Sequence, residues 1–192
     1  MQSMKILVTG ATGKVGSRLV PHLLREGHQV RILVRNLERA QALVSLGAQP
    51  AVGDLLSPDS LEPAVRGVDA VVHLAAFFRG ASPEDAHAVN VSGTASLANA
   101  ALNAGVARFV YTSTNLVYGP GQGRRFTEAD PPNPGWAYPQ SKAASESDLL
   151  ELHRRSGLDV RILRLAFVYG DGDPHLSEGL QWFRNWNPAQ RF

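Results

Sequence analysis

Lys5 to Thr9 is a short β-branched and aliphatic run that ends directly on Gly10-Ala11-Thr12-Gly13-Lys14-Val15-Gly16. Ser17 to Arg25 then carries apolar residues at helical spacing, and Glu26-Gly27-His28 stops that helix. A strand that passes through a glycine turn straight into a helix leaves few architectures open. Glycines allow the tight turn, close approach of the backbone to a pyrophosphate and tight strand–helix packing. The free N–H groups and the dipole at the helix start then favour phosphate. Gly10, Gly13 and Gly16 are spaced three and three, a variant of the more familiar two and three. Alone, such a pattern is also what an ordinary turn looks like. Its place between a first strand and a first helix makes it a candidate dinucleotide site.

The rest of the chain alternates in the same way. Gln29 to Arg35 reads as a second strand, Leu37 to Leu46 as a helix ending at Gly47, and Gln49 to Val52 as a third strand. Pro58 to Val65 reads as a helix and Ala70 to Leu74 as a fully buried fourth strand. A long helix is predicted from about Glu84 to Ala104, stopped by Gly105. Strand five is Arg108 to Ser113, a helix carrying Tyr138 runs to about Ser156, and strand six is Asp159 to Leu165. Alternation of this kind predicts the α/β class, with right-handed crossovers and a doubly wound parallel sheet covered by helices on both faces. The turn-rich stretch from Gly119 to Gly135, with Pro120, Pro131, Pro132 and Pro134, falls at the carboxyl edge, where such sheets bind ligands.

Composition removes several function classes. The 192 residues suit one α/β domain, or one domain and part of a second. With 44% hydrophobic and 19% charged residues the chain can build a core. Its cysteine count of zero rules out thiolate chemistry and disulfides, and the scattered histidines offer no metal-ligand spacing. No apolar run approaches the ~20 residues of a membrane span, and no signal peptide opens the chain. The net charge is +2, and the basic groups Arg124-Arg125 and His153-Arg154-Arg155 are short and lack interleaved aromatics, so nucleic-acid binding is not expected. A metal-free cytoplasmic protein without membrane or nucleic-acid partners is the expectation.

Tyr138 and Lys142 lie four positions apart, on one face of a helix. An ammonium beside a phenol favours the phenolate, and such a tyrosine can exchange a proton with a substrate hydroxyl or carbonyl. At the end of strand two, Val34-Arg35-Asn36 offers no acid for the ribose 2′-hydroxyl of NAD. Arg35 is a guanidinium placed to meet the 2′-phosphate of NADP, so NADP is favoured with NAD the alternative.

With the glycine turn at one end and Tyr138/Lys142 at the other, the chain resembles the short-chain dehydrogenase/reductase superfamily, in its extended branch of NAD(P)-dependent epimerases, dehydratases and dihydroflavonol-reductase-like enzymes. Further motifs follow in the family's order. Gly53-Asp54-Leu55 is similar to the segment whose aspartate contacts adenine, and His73-Leu74-Ala75-Ala76 to the segment passing the cofactor's phosphates and ribose. Asn90-Val91-Ser92-Gly93-Thr94 resembles the helix whose asparagine supports the active site. Thr112-Ser113-Thr114-Asn115-Leu116-Val117-Tyr118-Gly119 matches the strand-five motif, and Arg164-Leu165-Ala166-Phe167-Val168-Tyr169-Gly170 the segment beside the nicotinamide.

The resemblance implies a Rossmann domain over residues 1–170 that binds NAD(P) and carries the catalytic residues, and the start of an incomplete substrate-binding region over 171–192. It implies Tyr138 as general acid/base, and Lys142 lowering its pKa and holding the nicotinamide ribose. Thr114, or else Ser113, would orient the substrate oxygen. The cofactor-contacting set would be Gly10, Thr12, Gly13, Lys14, Val15, Arg35, Asp54, Leu55, Leu74, Ala75, Ala76 and Asn90, with Tyr138 and Lys142. Two departures stand out. Sugar-nucleotide dehydratases of this branch carry an Asp-Glu pair after the strand-five threonine, and this chain has Asn115-Leu116. Extended-branch members also usually run past about 300 residues, whereas this sequence stops at Phe192 soon after the aromatics Trp182, Phe183 and Trp186. A shortened gene, an engineered fragment, or a tail packed on a partner such as a second copy in a homodimer would each account for that ending. The expected activity is hydride transfer between a nicotinamide cofactor and a secondary alcohol, ketone or nucleotide sugar. The alternative is a cofactor-binding module without efficient turnover. Phe77, Phe78 and Arg79 after strand four, and Arg124-Arg125 in the long loop, are candidates to meet an aromatic or an anionic substrate.

Overall fold

The computed structural model describes residues 3–78, 82–121 and 123–170. Within them, six parallel strands form one sheet: β1 (Lys5–Thr9), β2 (Gln29–Val34), β3 (Gln49–Val52), β4 (Ala70–His73), β5 (Arg108–Thr114) and β6 (Asp159–Leu165). Their order across the sheet is β3-β2-β1-β4-β5-β6. The order reverses between β1 and β4, which opens the crevice at the carboxyl edge that doubly wound sheets use for ligands. This is the Rossmann-type α/β fold. The helices are α1 (Gly16–Arg25), α2 (Gln41–Ser45), α3 (Leu61–Val65), α4 (Pro83–His87), α5 (Gly93–Asn103) and α6 (Ala137–Ser156). The expected 171–192 region lies outside the described residues.

Strand alternation divides the core in two. Leu7, Val71, Phe109 and Tyr111 point to the face covered by α3, α5 and α6, where Leu97, Leu149 and Leu152 meet them. Ile6, Val8, Val30 and Ile32 point to the other face, against Val20 of α1 and Leu43 of α2. The central strands are therefore buried on both sides, which is why they read as unbroken apolar runs. Leu7, Phe109 and Leu97 are fully buried, and each such side chain contributes about 1.5–3 kcal/mol.

The structure departs from the sequence pattern at element ends and within several helices. β2 stops at Val34 rather than Arg35, β4 at His73 rather than Leu74, and β5 continues to Thr114. The helix predicted over 37–46 is a 3₁₀ turn, Glu38–Ala40, followed by the short α2. The long helix predicted from Glu84 to Ala104 is interrupted by a π turn over Ala88–Ser92. Ser82 caps its start by accepting a hydrogen bond from the Asp85 N–H at 3.1 Å. The extra residue of the π turn re-aims Asn90 toward the sheet edge, and such bulges are often found at functional sites.

Candidate active site

The crevice is built from the residues just past the strand ends. Gly10 follows β1 with φ +67, and a Cβ there would lie 2.6 Å from the Ala75 nitrogen. The glycine turn and the segment after β4 are thus in backbone contact. At Gly16 a Cβ would lie 2.3 Å from the Gly10 carbonyl oxygen, so α1 begins tight against the turn. The start of α1 carries no side-chain cap and no acidic residue in its first turn. The Ser17 and Arg18 N–H groups bond the Gly13 and Val15 carbonyls at 2.9 and 3.1 Å, and the helix dipole there favours an anion. Thr12, Gly13, Lys14 and Val15 line a cavity of about 580 Å³ there, together with Val168 and Tyr169. An uncapped, acid-free helix start beside a cavity of that size fits the pyrophosphate of a dinucleotide.

The other expected cofactor residues fall along the same edge. Arg35 is exposed directly after β2. The Asp54 carboxylate accepts from the Leu56 N–H at 3.0 Å, making a local turn, and its own N–H donates to the Ser60 hydroxyl oxygen at 3.0 Å. Leu55 is buried in the core, where Gly93 leaves room for it, so its side chain serves packing. Leu74, Ala75 and Ala76 follow β4, and the Ala75 N–H donates to the Thr9 hydroxyl at 3.2 Å.

Beneath this edge lies His73, which opens the motif after strand four but has no role of its own in it. His73 is fully buried, with Nδ1 2.6 Å from Thr9 Oγ1 and Nε2 2.9 Å from Thr94 Oγ1. Burial pulls its pKa down to about 3, with the Lys142 charge acting in the same direction, so the ring is neutral. It ties β1, β4 and α5 under the crevice. The only local sign of it is a histidine closing an otherwise apolar strand.

Asn90 is buried and its amide is consumed by protein. Its Oδ1 accepts from the Phe77 N–H at 2.7 Å, and its Nδ2 donates to the Phe77 carbonyl at 3.0 Å and to Ser141 Oγ at 2.9 Å. Ser141 Oγ donates to the Tyr138 carbonyl at 2.7 Å, and Ser145 Oγ donates to the Asn90 carbonyl at 2.6 Å. Both amide N–H groups are therefore taken. Asn90 acts as a strut between the segment after β4 and the start of α6.

α6 carries Tyr138 partly buried and Lys142 almost wholly buried. The Lys142 Nζ lies 4.0 Å over the Tyr111 ring. Burial pulls the Lys142 pKa down to about 7, opposed by the neighbouring Glu146 carboxylate. The expected lowering of the Tyr138 phenol by Lys142 is not found: burial holds that phenol above its ordinary value. The reason is geometric, since the ammonium faces Tyr111 and Glu146. Glu146, one turn beyond Lys142, is itself buried and takes Arg164 of β6 through both oxygens, at 2.7 and 3.1 Å. The Arg164 guanidinium also lies 4.7 Å from the Tyr118 ring centre.

Thr114 is at the end of β5, its hydroxyl accepting from the Leu116 N–H at 3.3 Å. Ser113, one residue back, points to the opposite face, the one Tyr111 shares, and its buried hydroxyl has no protein partner among the described residues. Phe78 meets Tyr138 edge-on at 4.6 Å between ring centres. Arg79 lies outside the described residues. Arg124 pairs with Asp130 at 2.6 Å and lies over the Phe126 ring at 5.1 Å. Among the described residues no group of acidic or histidine side chains could hold a metal ion, and no helix is long and apolar enough to cross a membrane.

Comparison with known proteins gives the family. The model of the NAD dependent epimerase/dehydratase family matches residues 6–185. The chain belongs to that family. A sterol demethylase protein B of Methylococcus capsulatus is 38% identical over 175 residues, covering 88% of this chain and 53% of the relative. A 3 beta-hydroxysteroid dehydrogenase/Delta 5-->4-isomerase of Mycobacterium tuberculosis is 36% identical over 182 residues, covering 88% of this chain and 48% of the relative. Among solved structures, a dTDP-glucose 4,6-dehydratase of Streptomyces venezuelae with NAD bound superposes with a TM-score of 0.84 at 32% identity, covering 94% of this chain and 62% of that one. The chain thus spans about half the length of the curated relatives it matches.

Proposed function

We propose that this epimerase/dehydratase-family chain is an NAD(P)-dependent oxidoreductase or epimerase acting on a secondary alcohol or ketone, with Tyr138 as its acid/base. The observation that carries the reading is the meeting, on one sheet edge, of an uncapped helix start after a glycine turn with a helix presenting Tyr138 beside a buried lysine. The turn from Thr12 to Val15 would hold the pyrophosphate, Asp54 the adenine end, Ala75 and Ala76 the ribose-phosphate flank, and Lys142 the nicotinamide ribose. Arg35 would meet a 2′-phosphate, favouring NADP. A bound nicotinamide supplies or accepts the hydride.

The protein's own part is proton movement and placement. Tyr138 passes a proton to or from the substrate oxygen, and Thr114 orients that oxygen by a hydrogen bond. In the absence of other charge the phenol is held neutral by burial, which suits it to act as an acid toward a ketone. Lys142, poised near pH 7, is the group able to supply positive charge as the phenolate forms. Asn115-Leu116, where an Asp-Glu pair would drive water elimination, makes simple redox or epimerisation the better reading. A zero cysteine count fits a cytoplasmic setting.

The test is direct. NADPH and NADH are titrated by fluorescence, and carbonyl substrates are then screened for cofactor oxidation. Tyr138→Phe should lower turnover by about 10²–10⁴-fold and leave cofactor affinity within twofold. Arg35→Asp should weaken NADPH by about ten- to a hundredfold, the loss of a charge-assisted contact, and leave NADH nearly unchanged. Equal losses for both cofactors would refute the role of Arg35. A second reading is cofactor binding without efficient turnover. Tight NADPH binding without oxidation of any carbonyl would select it.

A further inference from the structure

One turn beyond Lys142, α6 buries a second charged side chain. Glu146 is 2% exposed, as is Lys142 itself, and the two share one face of the helix. Both Glu146 oxygens go to Arg164 of β6, at 2.7 and 3.1 Å. Arg164 in turn lies 4.7 Å from the Tyr118 ring centre, and Tyr118 stacks on Phe126 of the long loop at 4.9 Å. A buried carboxylate on its own tends to take up a proton, and a bidentate guanidinium keeps it ionised. The pair is therefore a fixed charge inside the fold, and the group it acts on along the helix is the Lys142 ammonium.

The other groups around that ammonium are neutral or already matched. His73 of β4 is neutral, its pKa pulled down to about 3 by burial. Tyr111 of β5 offers its ring face at 4.0 Å, and burial pushes its phenol up, so it stays protonated. Tyr138 on α6 is held protonated by burial in the same way. The π turn and α5 bring Asn90 and Thr94, bonded to Ser141 and His73, and neither titrates. Arg164 of β6 is positive and is matched by Glu146. Among the described residues, the charge that opposes the burial of Lys142 is that of Glu146.

We propose that Glu146 is a positioning residue of this site: anchored by Arg164, it keeps Lys142 an ammonium seated on the Tyr111 ring. This rests on the oxidoreductase reading above, in which Lys142 holds the nicotinamide ribose and supplies positive charge as the Tyr138 phenolate forms. Both tasks need the proton. The Glu146 oxygens are committed to Arg164, so Glu146 acts through Lys142 rather than on a ligand. Burial has already brought Lys142 to its titration point at about pH 7. Loss of the opposing carboxylate would leave it mostly a neutral amine there.

The experiment uses the full chain with its lysines ¹³C-labelled at Cε. There are three, Lys5, Lys14 and Lys142, so each can be followed separately by NMR titration. Glu146→Gln should move the Lys142 midpoint down by about one pH unit or more and leave Lys5 and Lys14 unmoved. That variant strands a buried guanidinium, so Glu146→Gln/Arg164→Met is measured beside it. Replacing the pair together spares the fold, which a thermal melt verifies, and should give the same Lys142 shift. With NADPH and a carbonyl that the wild type reduces, turnover at pH 7.5 should fall about five- to tenfold in both variants. At pH 5.5 the loss should be less than about twofold, because acid restores the ammonium. A merely structural pair would lower turnover equally at both pH values. An unmoved Lys142 titration in the double variant, or equal losses at pH 7.5 and 5.5, would overturn the proposal. No carbonyl reduction by the wild type would instead sink the oxidoreductase reading, and the NMR titration would still decide whether Glu146 sets the charge of Lys142.

Discussion

The turn after β1 and the first turns of α6 share one sheet edge but are made of opposite materials. The turn is backbone: Gly10 against Ala75, Gly16 against the Gly10 carbonyl, and a helix start without a side-chain cap. Its competence depends on close approach alone and is indifferent to pH. The helix is side chain: a neutral-leaning phenol, a lysine near its titration point, and a carboxylate shared with Arg164. Its competence depends on charge state, which burial sets. One region is a shape and the other is an electrostatic setting, and they should fail in different ways.

The largest loss of cofactor affinity is expected from the shape. A methyl group at Gly16 would sit 2.3 Å from the Gly10 oxygen and 2.6 Å from the Ala11 Cα, both backbone atoms that cannot swing aside. Gly16→Ala should therefore cost about 1–3 kcal/mol of stability and displace the turn, lowering NADH affinity at least tenfold. Calorimetric titration checks this across pH 6–9, where the loss should be constant. A loss that varied strongly with pH would erase the distinction between the two regions.

On the helix side the sign reverses. Lys142 is a buried charge, and removing it does not orphan Glu146, which keeps both of its bonds to Arg164. Lys142→Met should abolish turnover yet stabilise the fold by about 1–4 kcal/mol. The pH dependence follows from the lowered pKa. Between about 7 in the folded chain and 10.5 unfolded, the unfolded chain binds the extra proton, so wild-type stability rises with pH over that window. The advantage of methionine should be full below about pH 7 and fade toward 10.5. Chemical denaturation at pH 6.5, 8 and 9.5 measures it. A destabilised Lys142→Met would mean that the ammonium is a structural tie rather than a held charge.

That contrast also explains what was legible in the amino-acid order. Gly10, Gly13, Gly16, the six strands and the Tyr138/Lys142 spacing are local patterns, each set by a turn or a helical repeat, and the structure carries them with ends shifted by a residue. What stayed hidden depends on residues far apart in the chain. Glu146 was visible as one more helical turn, but its partner Arg164 comes from β6. The π turn at Ala88–Ser92 has no periodic signature, because it exists to deliver Asn90 to Phe77 and Ser141. The setting of Tyr138 was hidden for the same reason: spacing placed an ammonium one turn away, and only the fold shows it facing Tyr111.

His73 lies beneath both regions and gives the smallest and sharpest test. Its ring joins Thr9, which holds the Ala75 amide of the cofactor edge, to Thr94 of α5. Its folded pKa is about 3 against 6.5 unfolded, so on acidification the unfolded chain takes up a proton that the folded chain refuses. The stability this group contributes is complete above about pH 6.5 and lost as pH falls toward 3. One proton difference corresponds to a slope of about 1.4 kcal/mol per pH unit, and between pH 6.5 and about 4.5 it should be read before most carboxylates begin to titrate. His73→Gln keeps hydrogen-bonding groups near both threonines but cannot titrate. It should lose about 1–3 kcal/mol at pH 7 and show a flatter stability curve over that interval. If the wild type and the variant lose stability in parallel from pH 6.5 to 4.5, the buried imidazole is not the source of acid sensitivity. The common floor of the two regions would then be held by the threonine contacts alone.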